Sequence, residues 1–289
     1  MLTAHEVRQL ERLTLAHSSA LPAAGSRHAR TRGYGLEFRD YRHYQPGDDP
    51  RFIDWTVHAR LRQLVVRVFR AEGQMRVHLL VDSSASMSIG SPSKLACAAR
   101  LAAALAYVAV GRRDAVGLTT FDAEVRTHLP ASAGRPQLFR AIETLRSIAP
   151  AGPSAIDRAL IAFASATHGP GLVVVLSDFF DTQERLEGLR FLMYRGLVPA
   201  LVQVVADEDI DPALGDEAEL VDVEYPSAPA IVADPSVLQA YRDRVTRLSG
   251  DLRGFCFANE LPFIQLRSTA AFDDVLGACL DAGLLDVHA

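Results

Sequence analysis

The chain has 289 residues, 49% hydrophobic and 22% charged, with a formal net charge of −5. That length supports a full core, as one large domain or as a domain with a smaller annex, and the composition argues against a disordered or fibrous chain. Cys97, Cys256 and Cys279 are its three cysteines; odd in number, far apart and set among apolar residues, they argue against a disulfide frame or thiolate cluster and fit a reduced cytosolic protein.

In chain order, residues 4–17 place Val7, Leu10, Leu13 and His17 at helical spacing, with Leu15 off the stripe, which predicts a modest amphipathic helix. This opening mixes charges of both signs and has no hydrophobic signal core. The stretch LPAAGSRHARTRGYG then reads as a connection. From 36 to 70 the pattern is β: LEFRDYRHY, a QPGDDP turn whose Pro46-Gly47 suits the centre of a type II turn, then LVVRVFR. Residues 26–70 hold ten arginines against five acids, a local +5, whereas 71–289 carry −10. This asymmetry divides the chain into an N-terminal helix with an arginine-rich β annex, 1–72, and an acidic remainder, 73–289. The interleaved acids favour Asp–Arg networks for Arg39, Arg42, Arg51 and Arg60, and no nucleic-acid motif accompanies them. Trp55, the single tryptophan, is expected to pack the annex onto the rest of the chain.

From residue 77 onward strands alternate with helices. Apolar runs predict strands at 77–81, 115–120, 172–176 and 197–205, with helices at 92–110, 136–148, 155–166 and 183–194 between and after them. Ser91-Pro92 suits the start of the first helix, as a hydroxyl cap followed by Pro. EVRTHL predicts an antiparallel edge hairpin. The tail adds a helix at 235–248, a strand at 263–266 and a helix at 272–282, and the acidic stretch DEDIDPALGDEAEL before it reads as a solvated loop. Strands too apolar to alternate, joined by helices, predict a doubly wound, mainly parallel α/β sheet covered on both faces, preceded by the small β annex. The longest apolar run, 101–111, falls short of the roughly 20 residues a bilayer span needs, so no membrane span is expected.

The first of these strands ends abruptly, in VHLLVDSSASMSIG. In an open α/β sheet ligands bind beyond the carboxyl ends of the strands. Asp82 sits there, with Ser84 and Ser86 two and four residues on. Asp178, after the strand LVVVLS, and Ser154, in AGPSAIDRAL, arrive at the same rim. Read singly, each is a candidate turn or helix cap. Together they make an all-oxygen, hard donor set suited to Mg²⁺ or Mn²⁺ and not to Zn²⁺ or Cu²⁺. An ion held mostly by neutral hydroxyls keeps much of its charge and favours a carboxylate from a partner.

DSSAS, GPSAIDRAL and VVVLSDFFD resemble the metal-ion-dependent adhesion site of von Willebrand factor A domains. Asp82, Ser84 and Ser86 fall on its Asp-x-Ser-x-Ser, Ser154 where that family usually has Thr, and Asp178 on its distal Asp. GLEFRDYRHYQPGDDPRFIDWTVHAR, residues 35–60, is similar to the signature of the bacterial domain of unknown function family 58 (DUF 58), which precedes a von Willebrand A-like domain. The resemblance covers most of the chain, from about residue 25 to 205. It implies a non-catalytic, metal-dependent protein-binding module, an adaptor or co-chaperone whose partner is a MoxR-type AAA+ ATPase or its client. Many relatives carry N-terminal membrane helices; their lack here leads to the expectation of cytoplasmic action.

Two other readings stay open. A metal-dependent phosphatase or phosphotransferase would use Asp82 as nucleophile, but Ser84 stands where such enzymes place an acid–base Asp. Lys94, the one lysine among 30 basic residues, a skew attributed to genome composition, looks poorly placed to bind phosphate. No P-loop and no GxSxG elbow is present. The third reading is a metal-free A domain with a structural role.

Overall fold

The computed structural model describes residues 3–15, 36–44, 53–71, 74–181, 186–210, 219–225, 227–232 and 234–287. The chain forms two compact units, Met1–Pro22 with Met75–Ala289, and Ala23–Gln74.

The chain opens with helix α1 (Ala4–Leu10) and strand β1 (Leu13–Leu15). Thr3 and Glu6 form a reciprocal capping box at the start of α1, satisfying two otherwise free N–H groups. The expected helix to residue 17 therefore stops at Leu10, and Leu13–Leu15 take up extended pairing. In the smaller unit, β2 (Leu36–His43) and β3 (Val65–Ala71) pair antiparallel, with His43 opposite Val65 and a register shift between Phe38 and Asp40. The annex strands are where the sequence places them. Helix α2 (Trp55–Leu61), between them, was not expected: Asp54 accepts the N–H groups of Thr56 and Val57 at 2.9 and 3.1 Å, and Arg62 ends the helix with φ 57°. Trp55 is 60% exposed. The QPGDDP turn lies outside the described residues.

The larger unit is built on β4 (Arg76–Asp82), β5 (Ala115–Phe121), β6 (Val125–Ala133), β7 (Gly171–Ser177) and β8 (Leu197–Val205). Short strands β9 (Glu219–Leu220) and β10 (Ile231–Val232) pair with each other. β11 (Phe263–Arg267) completes the main sheet and β12 (Leu285–Val287) pairs with β1. The six-stranded sheet runs β11-β8-β7-β4-β5-β6, parallel except for the edge strand β6. All seven residues of β5 and of β7 are buried, which is why these segments read as unbroken apolar runs.

Helices α3 (Lys94–Gly111), α4 (Arg135–Ser147), α5 (Ile156–Ala166), α6 (Glu187–Tyr194), α7 (Asp207–Ile210), α8 (Pro235–Ala258) and α9 (Phe272–Asp281) complete the unit. Two cores result. Val77, Leu79 and Val81 of β4 join α3, α9, β1 and β12 in one, while Leu80 joins α5 and α6 in the other, as the two-residue alternation of a strand requires. α3 is long and apolar enough to cross a membrane by composition; in this fold its apolar residues fill the first core. It starts at Lys94 with the Ser93 hydroxyl accepting from Ala96 N–H at 3.2 Å, so the expected Ser91-Pro92 start lies outside it.

Charge partition had assigned the first helix to the annex. Apolar contact assigns it otherwise: Leu10, Leu13 and Leu15 are buried in the α3 core, and Glu6 pairs with Arg100. β12 and β1 zip Leu13 against Val287 and Leu15 against Leu285.

Two close approaches depend on glycine. A Cβ at Gly188 would lie 2.9 Å from Asp157 Cα, Asp157 Oδ1 and Leu160 Cβ, where α5 meets α6. Gly188→Ala is expected to cost about 1–3 kcal/mol through overpacking, read as a lower urea midpoint. On β4, His78 faces Gly117, where a Cβ would come 3.1 Å from its Nδ1. The imidazole fills that gap, 5% exposed, edge-on to Phe163 with ring centroids 5.2 Å apart. Neither ring nitrogen has a hydrogen-bond partner among the described residues.

Candidate functional site

β4 lies in mid-sheet, with β5 and β6 on one side and β7, β8 and β11 on the other. The chain leaves β4 for one side and returns at β7 for the other, which makes the ends of these two strands the switch point where open α/β sheets bind ligands. Val81 pairs with Leu176, so Asp82 and Ser177 follow side by side.

Asp82 is completely buried. Its Oδ1 accepts the Ser84 N–H at 2.8 Å, and its Oδ2 accepts from the hydroxyls of Ser177 at 2.6 Å and Ser154 at 3.5 Å. Ser84 begins a 3₁₀ turn (Ala85–Ser88) without capping it through its side chain. Its hydroxyl instead lies 3.1 Å from that of Ser86. The loop bearing Ser154 is tied down by Ala85 N–H to Gly152 O at 2.8 Å and Ala151 N–H to Ser83 O at 2.9 Å. α5 begins two residues after Ser154, with no side-chain cap; Ser154 is therefore a partner of Asp82 and not a helix cap.

Asp178 adjoins this group but is engaged elsewhere. Its Oδ1 accepts the Phe180 N–H at 3.1 Å and its Oδ2 the Lys94 ammonium at 2.6 Å, while its carbonyl accepts from Gln203 at 3.2 Å. The Lys94 ammonium also lies 3.0 Å from Asp209 and 4.8 Å from the centre of the Phe180 ring. Lys94 is completely buried. Burial works against its charge, yet the two carboxylates outweigh it and hold its pKa above the ordinary value. Asp209, placed by the sequence in a solvated loop, is 3% exposed and holds Ala206 N–H at 2.8 Å.

Among the described residues Asp82 has no such cation. Burial, and then the charge of Asp178, push its carboxyl up to about 7, against the pull of Ser177 and Ser84. Lys94 thus pairs with Asp178 and Asp209, and the buried Asp82 beside Asp178 is left without an ammonium among the described residues, a carboxylate that a divalent cation would hold ionised. The donors fit such an ion in kind, being hard oxygens throughout. Among the described residues no three His, Cys, Asp or Glu side chains converge as ligands, so hydroxyls and water would have to complete any coordination.

All five residues singled out in the sequence lie at this switch point, but they divide. Asp82, Ser84, Ser86 and Ser154 cluster at the end of β4, and Asp178 is paired with Lys94. Ser177, Lys94, Asp209 and Gln203 were missed. Ser177 was legible as the polar residue ending an apolar run, and Lys94 as the sole lysine; nothing in the sequence joined Asp209 to either. Phe179 is buried core, held at φ 62°, and its N–H donates to Ser177 Oγ at 2.9 Å. A bulky residue at that φ is strained, and it turns the chain so that Phe180 reaches Lys94.

The fold and this site define a doubly wound α/β protein with a polar cluster at its switch point. The chain belongs to the DUF58 family, described as protein of unknown function DUF58, whose model matches residues 40–248. It is 31% identical over 222 residues to the uncharacterized proteins Rv1480 of Mycobacterium tuberculosis and Mb1516 of Mycobacterium bovis, covering 74% of this chain and 68% of each relative. Among solved structures it is similar to BatB of Bacteroides thetaiotaomicron, a conserved hypothetical protein, with TM-score 0.45 and 19% identity over 72% of this chain and 96% of that one. An aerotolerance-related membrane protein of Bacteroides fragilis matches with TM-score 0.42 and 17% identity over 73% and 98%. A von Willebrand factor type A protein of Catenulispora acidiphila matches with TM-score 0.38 and 13% identity over 76% and 43%.

Proposed function

We propose that the end of β4 is a Mg²⁺- or Mn²⁺-dependent docking site for a protein partner, of the metal-ion-dependent adhesion type, and that the chain acts without catalysis as a cytoplasmic adaptor. The observation that carries this reading is the convergence of Ser84, Ser86, Ser154 and Ser177 hydroxyls around a buried Asp82 that has no cation of its own among the described residues. Asp82, Ser84, Ser86 and Ser154 would hold the ion directly or through water. Asp178, kept in place by Lys94, would act from the next strand end. Bound there, the ion would supply a positive charge that attracts a carboxylate of the partner. From the family resemblance, that partner is a MoxR-type AAA+ ATPase or its client. Asp82 lies buried and Lys94 is committed to two carboxylates, which weighs against a phosphotransferase in which the one attacks phosphate and the other binds it.

The test is a calorimetric titration with Mg²⁺ and Mn²⁺. Saturable binding is expected for the wild type, weakened at least about tenfold by Asp82→Ala, with partner capture sensitive to chelator. Absence of uptake, alone and with the ATPase present, would favour the metal-free reading. In that case Asp82, already hydrogen-bonded by Ser84, Ser177 and Ser154, pins the two strand ends together.

A further inference from the structure

The segment 221–225, Val-Asp-Val-Glu-Tyr, follows β9 and carries an inverted polarity. Val221, Val223 and Tyr225 are 57%, 43% and 53% exposed, whereas Glu224 is half-buried. Asp222 is exposed as a surface acid should be, but water-facing apolar side chains around a half-buried carboxylate reverse the ordinary partition at the other four positions. The carboxylate has a specific destination. Its Oε2 accepts the backbone N–H of Ser154 at 3.0 Å, the residue whose hydroxyl reaches Asp82. One residue therefore joins Glu224 to the strand-end cluster. The cluster is otherwise shut: Asp82 and Ser84 are fully buried, and Ser86 and Ser154 are 8% and 6% exposed. Glu224 also carries the chemistry that the docking reading requires of a partner, a carboxylate flanked by apolar residues, on a turn in which Asp222 Oδ1 accepts the Glu224 and Tyr225 N–H groups at 2.8 and 3.1 Å.

We propose that Glu224 is the chain's own occupant of that docking position. With an ion bound, its carboxylate would supply a further oxygen and keep the site closed until a partner's Asp or Glu displaces 221–225, whose already exposed Val221, Val223 and Tyr225 offer the partner an apolar surface. The inference rests on the metal-dependent reading above. It assigns Glu224 a role in metal coordination and in self-occlusion, which the strand-end residues alone do not have.

The test uses Mn²⁺ as the probe and the full chain as wild type, Glu224→Gln and Asp82→Ala. Affinity is followed by titration, and water access to the bound ion by solvent-proton relaxation. Glu224→Gln is expected to bind Mn²⁺ about tenfold more weakly than wild type and to raise the relaxation per bound ion by about one coordinated water. Asp82→Ala is expected to lose binding. Wild type and Glu224→Gln binding alike, with equal relaxation, would overturn the role of Glu224 while leaving the metal site standing. No saturable Mn²⁺ binding by the wild type would overturn the docking reading and this inference with it.

Discussion

Replacing Lys94 with Met is expected to cost about 3–5 kcal/mol, seen as a sharply lower urea midpoint or as failure to accumulate folded protein. The ammonium contacts Asp178 at 2.6 Å and Asp209 at 3.0 Å, and all three side chains are 3% exposed or less. Removing the cation leaves two carboxylates desolvated and facing each other, while the thioether fills most of the vacated volume. The loss is therefore electrostatic and not a cavity effect. It is large against the roughly 5–15 kcal/mol that holds a domain together. The added changes Asp178→Asn and Asp209→Asn remove the stranded charges and are expected to return much of the loss, which distinguishes ion pairing from packing. A loss below about 1 kcal/mol for Lys94→Met alone, typical of an exposed pair, would show that the triad is not buried as described.

The second large effect is acid sensitivity through His78. Burial, and then the charges of His128 and Arg76, lower its pKa from 6.5 to about 4. The folded state holds this ring neutral, whereas the unfolded chain binds a proton once the pH drops below about 6.5. Stability contributed by the neutral ring is complete above pH 6.5 and is lost as pH falls from there toward 4. The loss is about 1.4 kcal/mol per pH unit, or about 3 kcal/mol across the window. Urea unfolding of wild type and His78→Phe at pH 7 and pH 5 reads it: the difference in stability between them should shift by about 2 kcal/mol in favour of Phe at the lower pH. An unchanged difference would mean that the imidazole finds a proton acceptor in the fold.

Legibility in the sequence followed the range of the interactions. β4, β5, β7 and β8 were readable because burial on both faces leaves them mostly apolar, β6 by its alternation at the edge, and the strand-end polar residues stood out against the apolar runs. α2 was not readable. It has seven residues, too few for a periodic stripe, and Trp55, Thr56 and Val57 favour strands; the Asp54 cap sets it. Leu13 and Leu15 continued a helical stripe on paper because their real partners lie at the other end of the chain. The site shows the same division. Asp82, Ser84 and Ser86 are spaced within one loop and could be read together. Lys94, Asp209 and Glu224 come to that region from an apolar helix and two acidic stretches, and only the fold brings each to its place.

The pairing of Leu13–Leu15 with Leu285–Val287 has a consequence for biosynthesis. Thr14 and Asp286 bond across 272 residues of chain, so a ribosome delivers the first strand long before its partner. Until residues 272–287 have been made, Leu10, Leu13 and Leu15 lack the part of their core that α9 and β12 supply. The Ala23–Gln74 unit, inserted in sequence between the two parts of the larger one, pairs β2 with β3 within itself and needs neither part for that pairing. Closure of the α/β unit thus waits on its last helix and strand, and until they are made the leucine segment has no β-partner.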